Sequence, residues 1–445
     1  MEDHTQSLID RAASLVEAAR SAGADAADAV VSRSRSKSVS VRLGKVEGTD
    51  ASESDNFSLR VFVGERVASI SANVTGDAAA LAERAVAMAK VSPEDRHNRL
   101  APQDRLAGSF PDLGLFDDTE VASERLTDDA LATEDAARAV DGVTNSSGAS
   151  ASSGSTGMVL VTSHGFSGAY RRSGFSRSVS VIGGEGTGME RDYDYSSKLY
   201  FADLRAPADI GKEAGERVVR RLNPRKVETQ TVTAIYDPRV ARGMLGHLAG
   251  AINGAAVARK TSFLKDRMGE QVANAAVTVI DMPGKPRGHG SRPFDGEGVA
   301  GDTLTMVGEG VLNHWFLSTS IASELGLETN GRGVRSGTSV SASSTNLALK
   351  AGAQSPEEMI KSVGTGFYVT EVFGHGVNMV TGEYSRGASG FWIENGEIAF
   401  PVSEVTLASN LRDMFMRIVP ANDLDEDYAT AAPTLAIEGM TLAGQ

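Results

Sequence analysis

Apolar residues recur every three to four positions over residues 6–22. Leu8, Ile9, Ala12, Leu15, Val16 and Ala19 share one face, which predicts an amphipathic helix. The period then drops to two in DAVVSR and SVSVRL, read as two strands, and again in FSLRVFV and VASISANV, joined at Gly64-Glu65-Arg66 as a hairpin. A helical pattern returns in DAAALAERAVAMAKV, with Asp77 as its cap. Helix, strands and helix compose an α+β unit that ends in a Pro- and Asp-rich stretch near 101–118.

A second unit opens on the helix TDDALATEDAARAVDGV. The polar run NSSGASASSGSTG (145–157) follows; its composition suggests a flexible loop, either the wide loop of a hairpin or one facing a slot. After the strand MVLVTS come GFSRSVSVIGG and SKLYFADL as further strands, then a helix through 209–222. From VTAIYD onward a helix-rich stretch gives way to short strands with frequent turn signals. Among them, Glu-Asn-Gly at 394–396 carries the signature of a type I′ hairpin. The expected organisation is 1–115, an N-terminal α+β domain; 116–228, a middle α+β segment and a candidate to pack with the first; and 229–445, a β-rich domain with helices on one side.

The chain has 445 residues, 48 of them glycine, and a formal net charge of −14. That balance argues against nucleic acid as a partner. The basic stretch RVVRRLNPRK (217–226) reads as a solvated helix face. No cysteine is present, which removes disulfides and thiolate ligands. No signal-peptide pattern or membrane-spanning apolar run occurs, so a cytoplasmic address without membrane contact is the expectation.

Candidate chemistry is sparse. None of the seven histidines is followed by glutamate, so an H-E-x-x-H zinc helix is absent, as are a G-x-S-x-G elbow and a phosphate loop. GGEGTGMER (183–191) reads as a turn, and Asp423, Asp425 and Asp427 as an acidic turn rather than a calcium loop. PFDGEG (293–298) places Asp295 and Glu297 in a glycine-rich loop; turn chemistry is favoured over an acid pair, and a hydrolytic site using both with His289 is a third alternative. The segment 374–398 mixes Gly, Asn and Ser with strand signals; tight β-turns and binding of an extended chain are equally compatible with it. In ARGMLGHLAGAINGAAVARKTSFL (241–264), read as one helix, Gly246, Gly250 and Gly254 recur at four-residue spacing. Intramolecular packing is the favoured explanation, and lining an interface the other.

RKTSFL (259–264), PFDGEG, STNLALKAG (344–352) and, above all, GHGVNMVTGEYSRGASGFWIENGEI (374–398) resemble the TldD/PmbA, or modulator of DNA gyrase, metallopeptidase family. The resemblance covers essentially the whole chain. It implies one of two branches that pair as a heterodimer to degrade or trim unstructured peptides. The zinc-bearing TldD branch carries H-E-x-x-x-H on the helix near 241–254. Anchored on Thr261 and Ser262, the two histidine positions fall here on Leu245 and Gly250, and the glutamate on Gly246. Sliding the register to His247 does not restore the motif. The resemblance therefore implies the metal-free branch. The expectation is a chain with no catalytic residue, metal or cofactor of its own, whose TldD-type partner supplies zinc. Unfolded peptide would be met by Gly374, His375, Gly376 and Asn378. The alternative is a stand-alone, homodimeric peptide- or protein-binding regulator.

Overall fold

The computed structural model describes residues 2–73, 77–336 and 339–444. The first helix, α1 (Glu2–Ser21), buries Leu8, Ala12, Leu15, Val16 and Ala19, the stripe its spacing predicts. It packs with α2 (Ala78–Val91), whose N-cap Asp77 accepts a hydrogen bond from the Ala79 amide. Both cover a sheet built from β1 (Ala26–Arg42), β2 (Lys45–Val63), β3 (Arg66–Asn73), β4 (Val143–Thr162), β5 (Ser167–Gly183) and β6 (Glu190–Lys198). Its order is β3-β2-β1-β4-β5-β6, antiparallel throughout. Val74, the last residue of the predicted VASISANV strand, lies outside the described residues.

Residues 1–115 and 116–228 thus share one sheet. β4 pairs with β1 along Asp28–Val41, and the helices α3 (Ser123–Arg138) and α4 (Pro207–Arg220) cover its other half. Side chains alternate across a strand. Ala27, Ala29 and Val31 face α1 and α2, while Val39 and Val41, of the same parity, face α3 and α4. The helices therefore lie on one face. Residues of the opposite parity, such as Val30 and Leu160, meet Phe294 of the C-terminal domain.

Several sequence expectations change here. DAVVSR and SVSVRL are one strand, because both neighbours pair across the intervening Ser-rich segment. The run 145–157 is strand rather than loop. Its amides pair with β1 and β5, and serine hydroxyls bond across the sheet (Ser150 with Ser178 at 2.9 Å, Ser152 with Ser176 at 2.8 Å). SKLYFADL leaves the sheet at Lys198 and turns through a 3-10 helix at Phe201–Asp203. The basic stretch is not simply solvated: Arg221 is buried, paired with Asp192 and Glu190 of β6 and with Glu371.

In the C-terminal domain, β7 (Gln230–Tyr236) runs parallel to Gly366–Phe373 and antiparallel to Leu435–Ala443. Gly366–Phe373 continues to Glu383–Glu394 and Glu397–Asn410, and pairing of Thr406–Ala408 with Thr441–Ala443 closes these five strands into a barrel. The Asn395-Gly396 turn has positive φ at both residues, as type I′ requires. A smaller five-stranded sheet includes Val279–Asp281 and Thr430–Ala431. The helix α5 (Pro238–Ala251) packs against barrel strands and Thr430–Ala431.

Candidate functional site

α5 begins at Asp237, whose side chain accepts from the Arg239 amide and from the Tyr368 hydroxyl at 3.0 Å. Pro238 follows at the first helical position, where no amide is needed. The helix ends at Ala251, and Asn253 caps a separate short helix, α6 (Gly254–Ala258). The single helix expected over 241–264 is therefore broken at Ile252-Asn253, where the Asn253 side chain bonds both the Ala255 amide and the Ala342 carbonyl.

The three glycines consequently serve different ends. At Gly254 a Cβ would stand 2.7 Å from Leu317 and the Phe316 carbonyl, so close packing does require glycine there. At Gly246 a Cβ would meet nothing within 4 Å, and at Gly250 only Cε of Met379 at 3.4 Å. Both are exposed, which corrects the packing explanation for these two positions. Leu245 points the opposite way and is 1% exposed, in the domain core with Met244 and Leu248. The positions aligned with a zinc motif thus comprise one core leucine and two bare glycines.

His247 is half-buried on the same helix, its ring edge-on to Tyr384 with centroids 6.1 Å apart. Burial and the Arg386 charge both lower its pKa, holding the imidazole neutral near pH 7. Tyr384 also lines an open depression of about 500 Å³ with His375, Gly376, Val377, Asn378, Glu383, Ser385 and Ser409. The fold therefore brings α5 and the loop 374–382 together, although they are more than a hundred residues apart in sequence.

Within that loop Gly374 has φ +84°, and a Cβ on Gly376 would lie 1.8 Å from the Ser385 carbonyl. His375 is exposed. Asn378 turns its side-chain oxygen inward to the amides of Val380 (2.9 Å) and Thr381 (3.3 Å), as an Asx-turn does.

At the other end of α5, Arg239 stacks over Tyr193 (4.2 Å) and Arg242 over Tyr428 (3.6 Å). Tyr195 bridges the two rings, stacked on Tyr193 and edge-on to Tyr428. This arginine–tyrosine cluster escaped the sequence reading. Its signal was the Arg239/Arg242 spacing and the alternation in RDYDY.

PFDGEG lies elsewhere, between the N-terminal sheet and the C-terminal domain. Asp295 accepts from the amides of Glu297, Val299 and Gly333, and Glu297 from the Thr319 amide at 2.7 Å. Turn chemistry accounts for the first of these. Both carboxylates are nevertheless fully buried, which raises both pKa values. Glu297 is pushed up to about 7 by burial and the neighbouring Asp295 charge, with Arg60 opposing. His289 does not join them: its charged neighbours are Arg172, Lys198 and Asp427.

Among the described residues, no group of three or more His, Cys, Asp or Glu side chains is arranged to hold a metal ion. On α5 only His247 offers a donor, and its neighbours Tyr384 and Arg386 do not complete a zinc set. The described residues on and around this helix do not fit a catalytic zinc ion. No described helix is long and apolar enough to cross a membrane.

Comparison with known proteins places these features. Three family models match: PmbA/TldA metallopeptidase domain 1 over residues 27–89, the central domain over 116–222 and the C-terminal domain over 229–444. The chain is 35% identical to "Metalloprotease PmbA" of Escherichia coli O157:H7 over 444 residues, covering 98% of this chain and 96% of the relative. A "Metalloprotease PmbA homolog" of Haemophilus influenzae is 34% identical, with 96% and 94% covered. A crystal structure described as a putative modulator of DNA gyrase, from Bacteroides thetaiotaomicron, superposes with a TM-score of 0.91 at 28% identity, covering 98% of each chain. TldE from Thermococcus kodakarensis shares the fold, with a TM-score of 0.86 at 20% identity over 98% of this chain and all of that one. The chain belongs to the PmbA/TldE family.

Proposed function

We propose, from membership of the PmbA/TldE metallopeptidase family, that this chain is a non-catalytic subunit. In this reading it pairs with a TldD-type chain that supplies zinc, and the two enclose a chamber that admits unfolded peptide in the cytoplasm. The observation that carries the proposal is the donor chemistry of α5. A zinc site needs several N, O or S ligands and a base for the bound water. Leu245 is turned into the core, and Gly246 and Gly250 have no side chain to offer.

What remains on α5 suits binding. A helix face bare of side chains lets an extended backbone approach closely. His247 on this helix packs edge-on against Tyr384, which also borders the depression holding His375 and Gly376, and the arginine–tyrosine cluster lies at the helix's other end. Neutral His247 offers a hydrogen bond without adding charge. Peptide recognition by such a surface rests on main-chain contacts and tolerates many sequences.

Co-expression with a TldD-type chain tests the pairing. The expected outcome is a complex of the two on size exclusion. Recovery of this chain only as a homodimer, binding peptide with the partner present but unassociated, would favour the stand-alone regulator instead.

A further inference from the structure

On the other side of the Asn378–Gly382 loop lies a second pocket, of about 430 Å³, whose lining includes Phe263, Lys265, Arg267, Val380, Arg412 and Met416. We infer that it holds the C-terminal carboxylate of the extended peptide, together with the terminal residue's apolar side chain. The inference rests on the reading of α5 as a peptide groove and specifies what that groove takes.

Three observations support it. The first is charge. The lining holds three cations against one acid, Asp266, in a chain of net charge −14. Arg267 is matched by Glu270 at 2.9 Å. Lys265 has no ion pair among the described residues, and the Arg412 guanidinium donates one long hydrogen bond, to the Phe263 carbonyl at 3.3 Å. Two cations thus stand available to an anion, and paired cations bind a carboxylate through charge-assisted hydrogen bonds.

The second is the rim. Val380 and Met416 are exposed, at 51% and 45%, although both are large and apolar. A chain terminus bears its carboxylate and its side chain on one carbon, matching cations beside an apolar rim. An aspartate or glutamate side chain would bring the charge without the apolar group.

The third is continuity. The Phe263 amide donates to the Met379 carbonyl at 2.9 Å, and the Met379 side chain stands over Gly250 of α5. A peptide lying on the bare face of α5 therefore passes Met379 and ends at this pocket.

Fluorescence anisotropy on the full chain tests the inference. The probe is an N-terminally labelled, unstructured peptide of Gly, Ser and Ala ending in Leu, prepared as free acid and as C-terminal amide. The free acid should bind about tenfold more tightly, as expected if a charge-assisted contact is lost in the amide. In Lys265→Gln/Arg412→Gln the acid should lose its advantage, so that the two bind alike, with the melting temperature retained. Lys265→Glu should bind the amide better than the acid. Equal binding of acid and amide to the wild-type chain overturns the inference, as does a preference that survives in the double variant. An amide carrying an internal Asp that matches the free acid would assign the pocket to acidic side chains and overturn it as well. Failure of the groove reading looks different: neither peptide binds at all, and the inference falls with it.

Discussion

Nη2 of Arg335 lies 2.6 Å from Oδ2 of Asp28, an ion pair that fastens the C-terminal domain to the first strand of the N-terminal sheet. Arg60 reaches the same oxygen at 2.6 Å from β2, and Arg335 Nε donates to the carbonyl of Gly296 within PFDGEG at 2.6 Å. Burial alone would raise the Asp28 pKa. The Arg335 and Arg60 charges outweigh it and hold the carboxyl below its ordinary range.

Removing that carboxylate leaves two buried guanidiniums without their shared anion. Asp28→Ala should cost about 3–5 kcal/mol, the usual penalty for breaking a buried pair. Urea unfolding should show the midpoint falling accordingly. A loss below about 1 kcal/mol, typical of exposed pairs, would mean the junction is hydrated.

Glu297 makes the same junction sensitive to pH. Its native pKa is raised from 4.5 to about 7. The native state thus holds the proton more tightly than the unfolded chain, and the associated stability is present below pH 4.5 and lost as pH rises through 7. The lowered pKa values of His247, His289 and His314 oppose this, adding stability as pH rises through the ordinary histidine range. Comparison with Glu297→Gln cancels the histidines. Between pH 5 and 8 the wild type should lose on the order of 2–3 kcal/mol relative to the variant. Parallel stability profiles would refute the assignment.

Two glycine substitutions separate packing from exposure. Gly254→Ala forces a Cβ onto Leu317 and the Phe316 carbonyl, and should destabilise by about 1–3 kcal/mol. Gly246→Ala meets open space, and should stabilise by up to about 1 kcal/mol through helix propensity. Thermal unfolding of both variants measures the contrast, and a loss in Gly246→Ala would show a neighbour pressed on that face.

Gly376→Ala should disturb the loop beside the depression, because its Cβ would fall 1.8 Å from the Ser385 carbonyl that the loop packs upon. Peptide affinity should drop several-fold, and the unfolding midpoint should fall as well because Ser385 belongs to the barrel strand Glu383–Glu394. Unchanged affinity would remove this loop from the groove.

Much of the fold was legible from periodicity alone. The stripe of α1, the Asp77 cap and the Asn395-Gly396 hairpin each follow from local chemistry that tertiary context reinforced. What misled was composition without context. Residues 145–157 look like a flexible loop because serine and glycine have low strand propensity, yet β5 pairs along the run and β1 joins it on the other side from Ala149. The helix break at Ile252-Asn253 was hidden because the apolar period continues through it, and only the Asn253 cap marks it. The aligned positions Leu245, Gly246 and Gly250 could be named from the sequence. Which of them pack and which lie open depends on neighbours such as Leu317 and Met379 that arrive from elsewhere in the chain. The buried state of Asp295 and Glu297 was invisible for the same reason, since Gly333 and Thr319, which bond them, and Arg60 of β2 all arrive from distant parts of the chain.

The most direct test of the account is zinc content and peptidase activity measured together, on this chain alone and mixed with a TldD-type partner, using an unstructured peptide. The isolated chain should show neither stoichiometric zinc nor cleavage, and the mixture should show chelator-sensitive cleavage. Stoichiometric zinc in the isolated chain, with cleavage that a chelator abolishes, would contradict it.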